Sequence, residues 1–277
     1  MEIGKFNSMR VVKHVDFGVY LDGEELGEVL MPIRYVPENC EDGDTVEVFL
    51  YVDSEDRPIA TTEKPFAQVG DFAALKVKSV SKYGAFLDWG LMKDLLVPFS
   101  EQKINLEEGD TAVVYIYLDE KTNRIAASAK VEKFTAKEPF EAEPETEVDL
   151  LVCKKTDLGY KAIINNKFLG LLYENEVFKP LYIGQRVKGY VKQIREDGKV
   201  DLRLQKSGFQ QIVGESENLL VRLQKAGGFL ATTDKTPAEE IYSIYGISKK
   251  MYKKAVGDLY KKRSISIEEE GIRLIEK

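Results

Sequence analysis

The residues best suited to chemistry in this chain are aromatic, and they come in pairs around a glycine. Phe17-Gly18-Val19-Tyr20 returns 66 residues later as Tyr83-Gly84-Ala85-Phe86. Two rings presented on one outer surface form a platform on which unpaired nucleic-acid bases stack, at roughly 1–3 kcal/mol per base. Strict strand alternation would send the rings of a pair to opposite faces. A glycine bulge or bend between them would turn both toward one surface. An aspartate and an arginine follow each pair, Asp53 with Arg57 and Asp119 with Arg124. A weaker third copy has Leu158 and Lys161 at the aromatic places and Arg195 and Lys199 near the other two. Together with Lys188 and Lys192, these suit phosphate contact better than stacking.

Other chemistry finds little footing. His14 is the single histidine, which excludes a His-ligated cluster within the chain. Cys40 and Cys153 lie in different repeats without CxxC spacing, so neither a disulfide framework nor a zinc site is indicated. No GxxxxGK phosphate loop occurs, and the carboxylates sit in turns and in a glutamate-rich stretch. No catalytic residue, metal or cofactor is expected. The start, Met1-Glu2-Ile3-Gly4-Lys5, lacks the parts of a signal peptide, and no apolar run approaches the ~20 residues of a membrane span. A cytoplasmic location is the expectation.

The elements that must position the aromatics are small repeated domains. Gly43 and Gly109 share the 66-residue offset of Gly18 and Gly84, while Gly159 and Gly184 both follow their second-copy counterparts by 75. Anchors that move together mark a duplicated unit of about one small domain. Within a unit the signals are short β-branched and aromatic runs such as Val113–Leu118 and Arg124–Ser128, punctuated by glycine and polar turns. Short strands without a long helical pattern predict a closed barrel, which removes reactive edges. The divisions are 1–65, 66–131 and 148–207 for the three barrels, with residues 132–147 between the last two. That intervening segment is rich in proline and glutamate and predicts a linker or strap with a bend or interdomain freedom.

Each repeat resembles the RNA-binding OB-fold domain named after the first protein of the small ribosomal subunit, the S-one domain. The resemblance implies a five-stranded barrel whose binding face holds two aromatics, a histidine, an aspartate and an arginine. The first repeat matches with Phe17, Tyr20, Asp53 and Arg57, and the second with Tyr83, Phe86, Asp119 and Arg124. Pro32 and Pro98 stand near the place of the family histidine.

Residues 208–277 change period. Leu219, Leu220, Leu223 and Ala226 follow helical spacing up to the Gly227-Gly228 stop. Thr236-Pro237-Ala238-Glu239 has capping-box spacing for a second helix, Gly246 ends it, and Ser248 opens a third. Two Ile-rich strands then flank Glu268-Glu269-Glu270-Gly271 like a hairpin. The pattern resembles a winged helix-turn-helix, an α+β domain. Its third helix carries Lys249, Lys250, Lys253, Lys254, Lys261, Lys262 and Arg263 against Asp258, a candidate phosphate surface.

Charge is divided unevenly. Residues 1–65 hold 6 basic and 15 acidic side chains, or −9, whereas residues 148–207 hold 12 and 7, or +5. The C-terminal half is therefore expected to attract a polyanion, and the acidic first barrel to repel one. Three S-one-like barrels followed by a winged helix resemble the bacterial family of conserved virulence factor B, the YitL-like proteins. That resemblance implies a multidomain, mainly β, non-enzymatic protein that binds single-stranded RNA and regulates gene expression. Two alternatives stand beside it: a DNA-binding regulator working through the winged helix, and an adaptor for ribosomes or another protein working through the acidic barrel.

Overall fold

Three times along the chain, five strands close into a barrel, as a computed structural model shows; it describes residues 1–174, 177, 180–206 and 208–275. The first barrel comprises β1 (Phe6–Val15), β2 (Gly18–Asp22), β3 (Glu28–Pro32), β4 (Thr45–Val52) and β5 (Pro58–Thr61). The second comprises β6 (Phe72–Ser81), β7 (Gly84–Asp88), β8 (Leu95–Pro98), β9 (Thr111–Asp119) and β10 (Arg124–Ser128). The third comprises β11 (Glu147–Thr156), β12 (Gly159–Ile164), β13 (Phe168–Tyr173), β14 (Arg186–Ile194) and β15 (Val200–Arg203). Each sheet runs first, second, third, fifth, fourth strand and back to the first. Neighbours are antiparallel except for the parallel third–fifth pair, with Leu30 opposite Ile59, Leu96 opposite Ala126 and Gly170 opposite Val200. This is the mainly β, three-barrel architecture that the repeats predict.

The repeated glycine has a different duty from the one expected of it. Gly18, Gly84 and Gly159 open β2, β7 and β12 with φ of +156°, +149° and +138°. A Cβ at these positions would lie 2.0–2.2 Å from the carbonyl oxygen of Met31, Val97 or Leu172 on the next strand. Only glycine permits that approach. The bulge lies instead on the opposing strand, at Val12, Lys78 and Cys153, where the register slips by one residue. Such an extra residue bends the long first strand and lets a small barrel close.

The long strands are buried on both faces where barrels meet. In β4, Val48 and Leu50 enter the core of the first barrel, while Phe49 and Tyr51 join that of the second. Phe49 meets Trp89 edge-on, with ring centroids 5.7 Å apart. Phe72, Val113 and Val131 of the second barrel similarly form a buried cluster with Leu151 and Ile163 of the third. Residues 132–147 are tied down at both ends of their course. Phe134 stacks on Tyr115 at 4.3 Å, and Phe140 meets Phe168 edge-on at 5.0 Å in the third barrel. Of the linker or strap that the Pro/Glu-rich composition allows, the two phenylalanines make a packed strap.

The C-terminal domain contains α1 (Gly208–Lys225), β16 (Phe229–Leu230), α2 (Ala238–Tyr245), α3 (Lys249–Lys261), β17 (Ile265–Ile267) and β18 (Ile272–Leu274). The strands order as β16-β18-β17, a winged helix. Gly246 ends α2 in the left-handed conformation, and the Ser248 hydroxyl accepts from the Met251 amide at 3.2 Å to cap α3. The capping box read at Thr236 does not form. Its hydroxyl accepts from the Thr233 amide instead, and Pro237 occupies the N-cap.

Candidate nucleic-acid interface

In the first barrel, Phe17 sits in the β1–β2 turn and Tyr20 on the outer side of β2, with ring centroids 6.4 Å apart. The Lys13 ammonium lies 4.9 Å from the Tyr20 ring centroid and also binds Glu28 at 2.6 Å. Asp53 and Arg57 close the β4–β5 turn, the guanidinium donating to one carboxylate oxygen at 2.7 and 2.9 Å. Burial would raise the Asp53 carboxyl, but hydrogen bonds from the Arg57 amide and guanidinium and the Glu55 amide outweigh it and lower its pKa. The same guanidinium also pairs with Glu55 at 3.0 Å, so two carboxylates of its own turn hold Arg57.

The second barrel repeats the aromatic part of this face. Tyr83 occupies the β6–β7 turn, Phe86 the outer side of β7, and the Lys82 ammonium lies 5.1 Å from the Tyr83 ring centroid. The charged part diverges. Asp119 accepts from the Lys121 amide at 3.0 Å and the Thr122 hydroxyl at 2.9 Å, which lowers its pKa and holds the β9–β10 turn. Arg124 turns away from it and forms a two-pronged pair with Asp56 of the first barrel, at 2.6 and 2.5 Å. The Lys93 ammonium donates to the carbonyls of Val52 and Asp53, so the turn bearing Arg57 is docked on the second barrel.

Both faces contain a further residue that motif reading missed. Ile33 is 59% and Phe99 45% exposed, immediately after Pro32 and Pro98. Their amides donate to the carbonyls of Phe17 and Tyr83, which ties their backbone to the turns that bear the aromatics. The signal was present as the same 66-residue offset, one position beyond the prolines.

Among its described residues the third barrel presents no such platform. Leu158 occupies the turn, while Tyr160 is buried among Val152, Ala162 and Leu172. Several of its basic residues are engaged within the barrel. Arg195 donates to the buried Asp201 at 2.7 and 2.9 Å and to the Tyr173 hydroxyl. Lys199 pairs with Asp197 at 2.6 Å, and Lys188 with Asp149 at 2.8 Å; Lys192 stands at the register shift between Val191 and Gln193 of β14. In the winged helix, Lys250 and Lys254 are exposed on α3 without an ion-pair partner among the described residues, Lys249 is half-buried, and Lys253 lies 3.6 Å from Asp234. The wing tip carries Glu268, Glu269 and Glu270, with Glu268 bound by Arg273 at 2.6 Å.

Comparison with known proteins agrees with this architecture. Residues 3–63 and 69–130 each match the S1 domain, and residues 217–274 match the CvfB-like winged helix domain. Uncharacterized protein YitL of Bacillus subtilis (strain 168) is 29% identical over 276 residues, covering 94% of this chain and 90% of YitL. Conserved virulence factor B of Staphylococcus aureus (strain USA300) is 24% identical over 255 residues, 87% of this chain and 82% of that protein. A crystal structure described as a multidomain protein with nucleic acid binding domains, from Streptococcus pneumoniae TIGR4, is 25% identical. It covers 99% of this chain and 98% of its own, at a TM-score of 0.46. The matched modules are non-enzymatic, and they support nucleic-acid binding. In domain composition and order, the chain matches the YitL-like family of conserved virulence factor B.

Proposed function

We propose that this protein binds single-stranded RNA and uses that binding to regulate gene expression after transcription. The observation that carries the reading is the exposure of large rings at one register of two barrels. Phe17 is 55% and Tyr83 63% exposed; Phe17 meets Tyr20, over which Lys13 lies, and Lys82 lies over Tyr83. Rings left outside a well-filled core at equivalent positions serve a surface role, and base stacking is the interaction an S1-type face offers. The docking of the first barrel on the second holds the two faces in a fixed relation, so their weak contacts add along one strand. Base stacking is sequence-tolerant and lysine contacts position without reading, so modest sequence preference follows.

A second reading has one observation in its favour. Lys250, Lys254 and Lys261 recur along one side of α3, which would suit duplex DNA. The three glutamates at the wing tip oppose it, because they would approach the phosphates. Fluorescence anisotropy of the full chain with single-stranded RNA, single-stranded DNA and duplex DNA across a salt series separates the readings. RNA preferred, with affinity falling as salt rises, is the expected result. Tight duplex binding retained by residues 208–277 alone would transfer the function to the winged helix.

A further inference from the structure

The second and third barrels enclose a cleft of 520 Å³ whose construction differs from that of the aromatic faces. Its floor is the buried contact between the barrels, with Val131, Cys153 and Ile183 in the lining. One wall carries Lys103 and Ile104, and the other carries Lys154 and Lys155. Ile104 is 81% exposed, more than any other large apolar side chain among the described residues. The one carboxylate in the lining, Glu132, already accepts from Lys103 and Lys161 at 2.7 Å each. Lys154 and Lys155 are left exposed, with Lys155 over the Tyr160 ring at 5.5 Å. An apolar floor and lip beneath excess positive charge fit an occupant that is flat and apolar in one part and anionic in another.

The cleft follows the second barrel's face along the chain. Phe99 lies four residues before Lys103, and the segment between them is held firmly. Gln102 is buried, donates to the Val97 carbonyl at 2.9 Å and accepts from the Leu106 amide at 3.0 Å. On the far side, Lys155 pairs with Tyr160 in the hairpin whose tip bears Leu158. The cleft is thus edged by the segment that follows Phe99 of the second barrel and by the strand that leads to the Leu158 tip of the third, where the described residues form no aromatic platform.

We propose that single-stranded RNA leaving the Tyr83–Phe86–Phe99 face enters this cleft, with a base against Ile104 and phosphates on Lys154 and Lys155. The inference rests on the RNA reading above and names the path. It gives the third barrel a role through its contact edge, since its outer arginine and most of its outer lysines are paired within the barrel.

The test uses the full chain and fluorescein-labelled oligouridine of two lengths. One of about 5 nucleotides fits a single barrel face and one of about 25 reaches beyond it, given site sizes of roughly 4–16 nucleotides per OB fold. K154A/K155A is expected to weaken the longer RNA about tenfold and the shorter less than about twofold, and to lower the salt slope by about 1.4, from ~0.7 per phosphate. K154R/K155R is expected to restore affinity. Ile104→Ser, at an exposed position, is expected to weaken the longer RNA about fivefold with the slope unchanged, as loss of one stacked base predicts. Unchanged affinity for the longer RNA, or equal losses at both lengths, would overturn the path while leaving the RNA reading intact. A wild-type chain that binds neither length would overturn both.

Discussion

Tyr83 and Gly84 are neighbours with separable duties, one toward a ligand and one toward the fold. The Tyr83 ring is 63% exposed, so removing it opens no cavity. Tyr83→Ala is expected to weaken RNA binding about fivefold or more, the loss of one stacking partner, with the urea midpoint nearly unchanged. Gly84→Ala is expected to do the reverse. The added Cβ would sit 2.1 Å from the Val97 carbonyl oxygen at a φ of +149°, so the β7–β8 pairing has to shift. A loss of about 2 kcal/mol or more in urea unfolding is expected, with the remaining folded protein still binding RNA. Equal effects of both substitutions on binding and stability would contradict this division. Cys153 shows the same care with environment: burial, then the charge of Glu132, pushes its thiol up to about 12, so it packs as a small apolar group rather than reacting as a thiolate.

At the scale of elements, the strap between the second and third barrels works through Glu132 and two phenylalanines. Glu132 accepts first from Lys103 and then from Lys161, one on each barrel, and these bonds hold its carboxyl at about 2. A carboxyl lowered on folding stabilises the protein fully above its ordinary value near 4.5, and the contribution is lost as pH falls toward about 2. The carboxylate is 35% exposed and its partners are 35 and 37% exposed, so screening limits the clamp to about 1 kcal/mol. Glu132→Gln is expected to lower stability by about that amount at pH 7, and urea midpoints of the two proteins should converge as pH approaches 2. A difference that persists at pH 2 would show that the clamp is not electrostatic. Phe134 and Phe140 provide the apolar part of the tie and are indifferent to pH.

At the scale of the molecule, the first two barrels share a core. Phe49 is fully buried yet belongs by sequence to the first barrel and by contact to the second, where it meets Trp89. Trp89 is the chain's single tryptophan and is 2% exposed, so its emission reports on this junction. Phe49→Ala is expected to cost about 3–5 kcal/mol and to red-shift the emission of the folded protein, although the substitution lies in the other barrel. An unshifted emission maximum would mean that the barrels do not depend on one another. The same junction brings Arg124 to Asp56 and Lys93 to the carbonyls of Val52 and Asp53, and so fixes how the two aromatic faces are presented.

Repeats, glycines, turn residues and the two aromatic pairs were legible in the chain alone, because each reflects a local demand that recurs at a constant offset. Strand alternation, the Gly246 stop and the Ser248 cap act over a few residues, and short-range signals survive reading in one dimension. Tertiary structure decided which charges remain available. Arg124 reaches 68 residues back to Asp56, and Arg195 is held by a buried Asp201, outcomes set by which turns and strands the closed barrels bring together. It also tied Ile33 and Phe99 to the turns that bear the aromatics, joined β4 to two cores, and formed a lysine-edged cleft from segments some fifty residues apart. Composition marked the third barrel as the basic one. Ion pairing, which depends on distance in space rather than in sequence, determined that its available positive charge lies at the edge facing its neighbour.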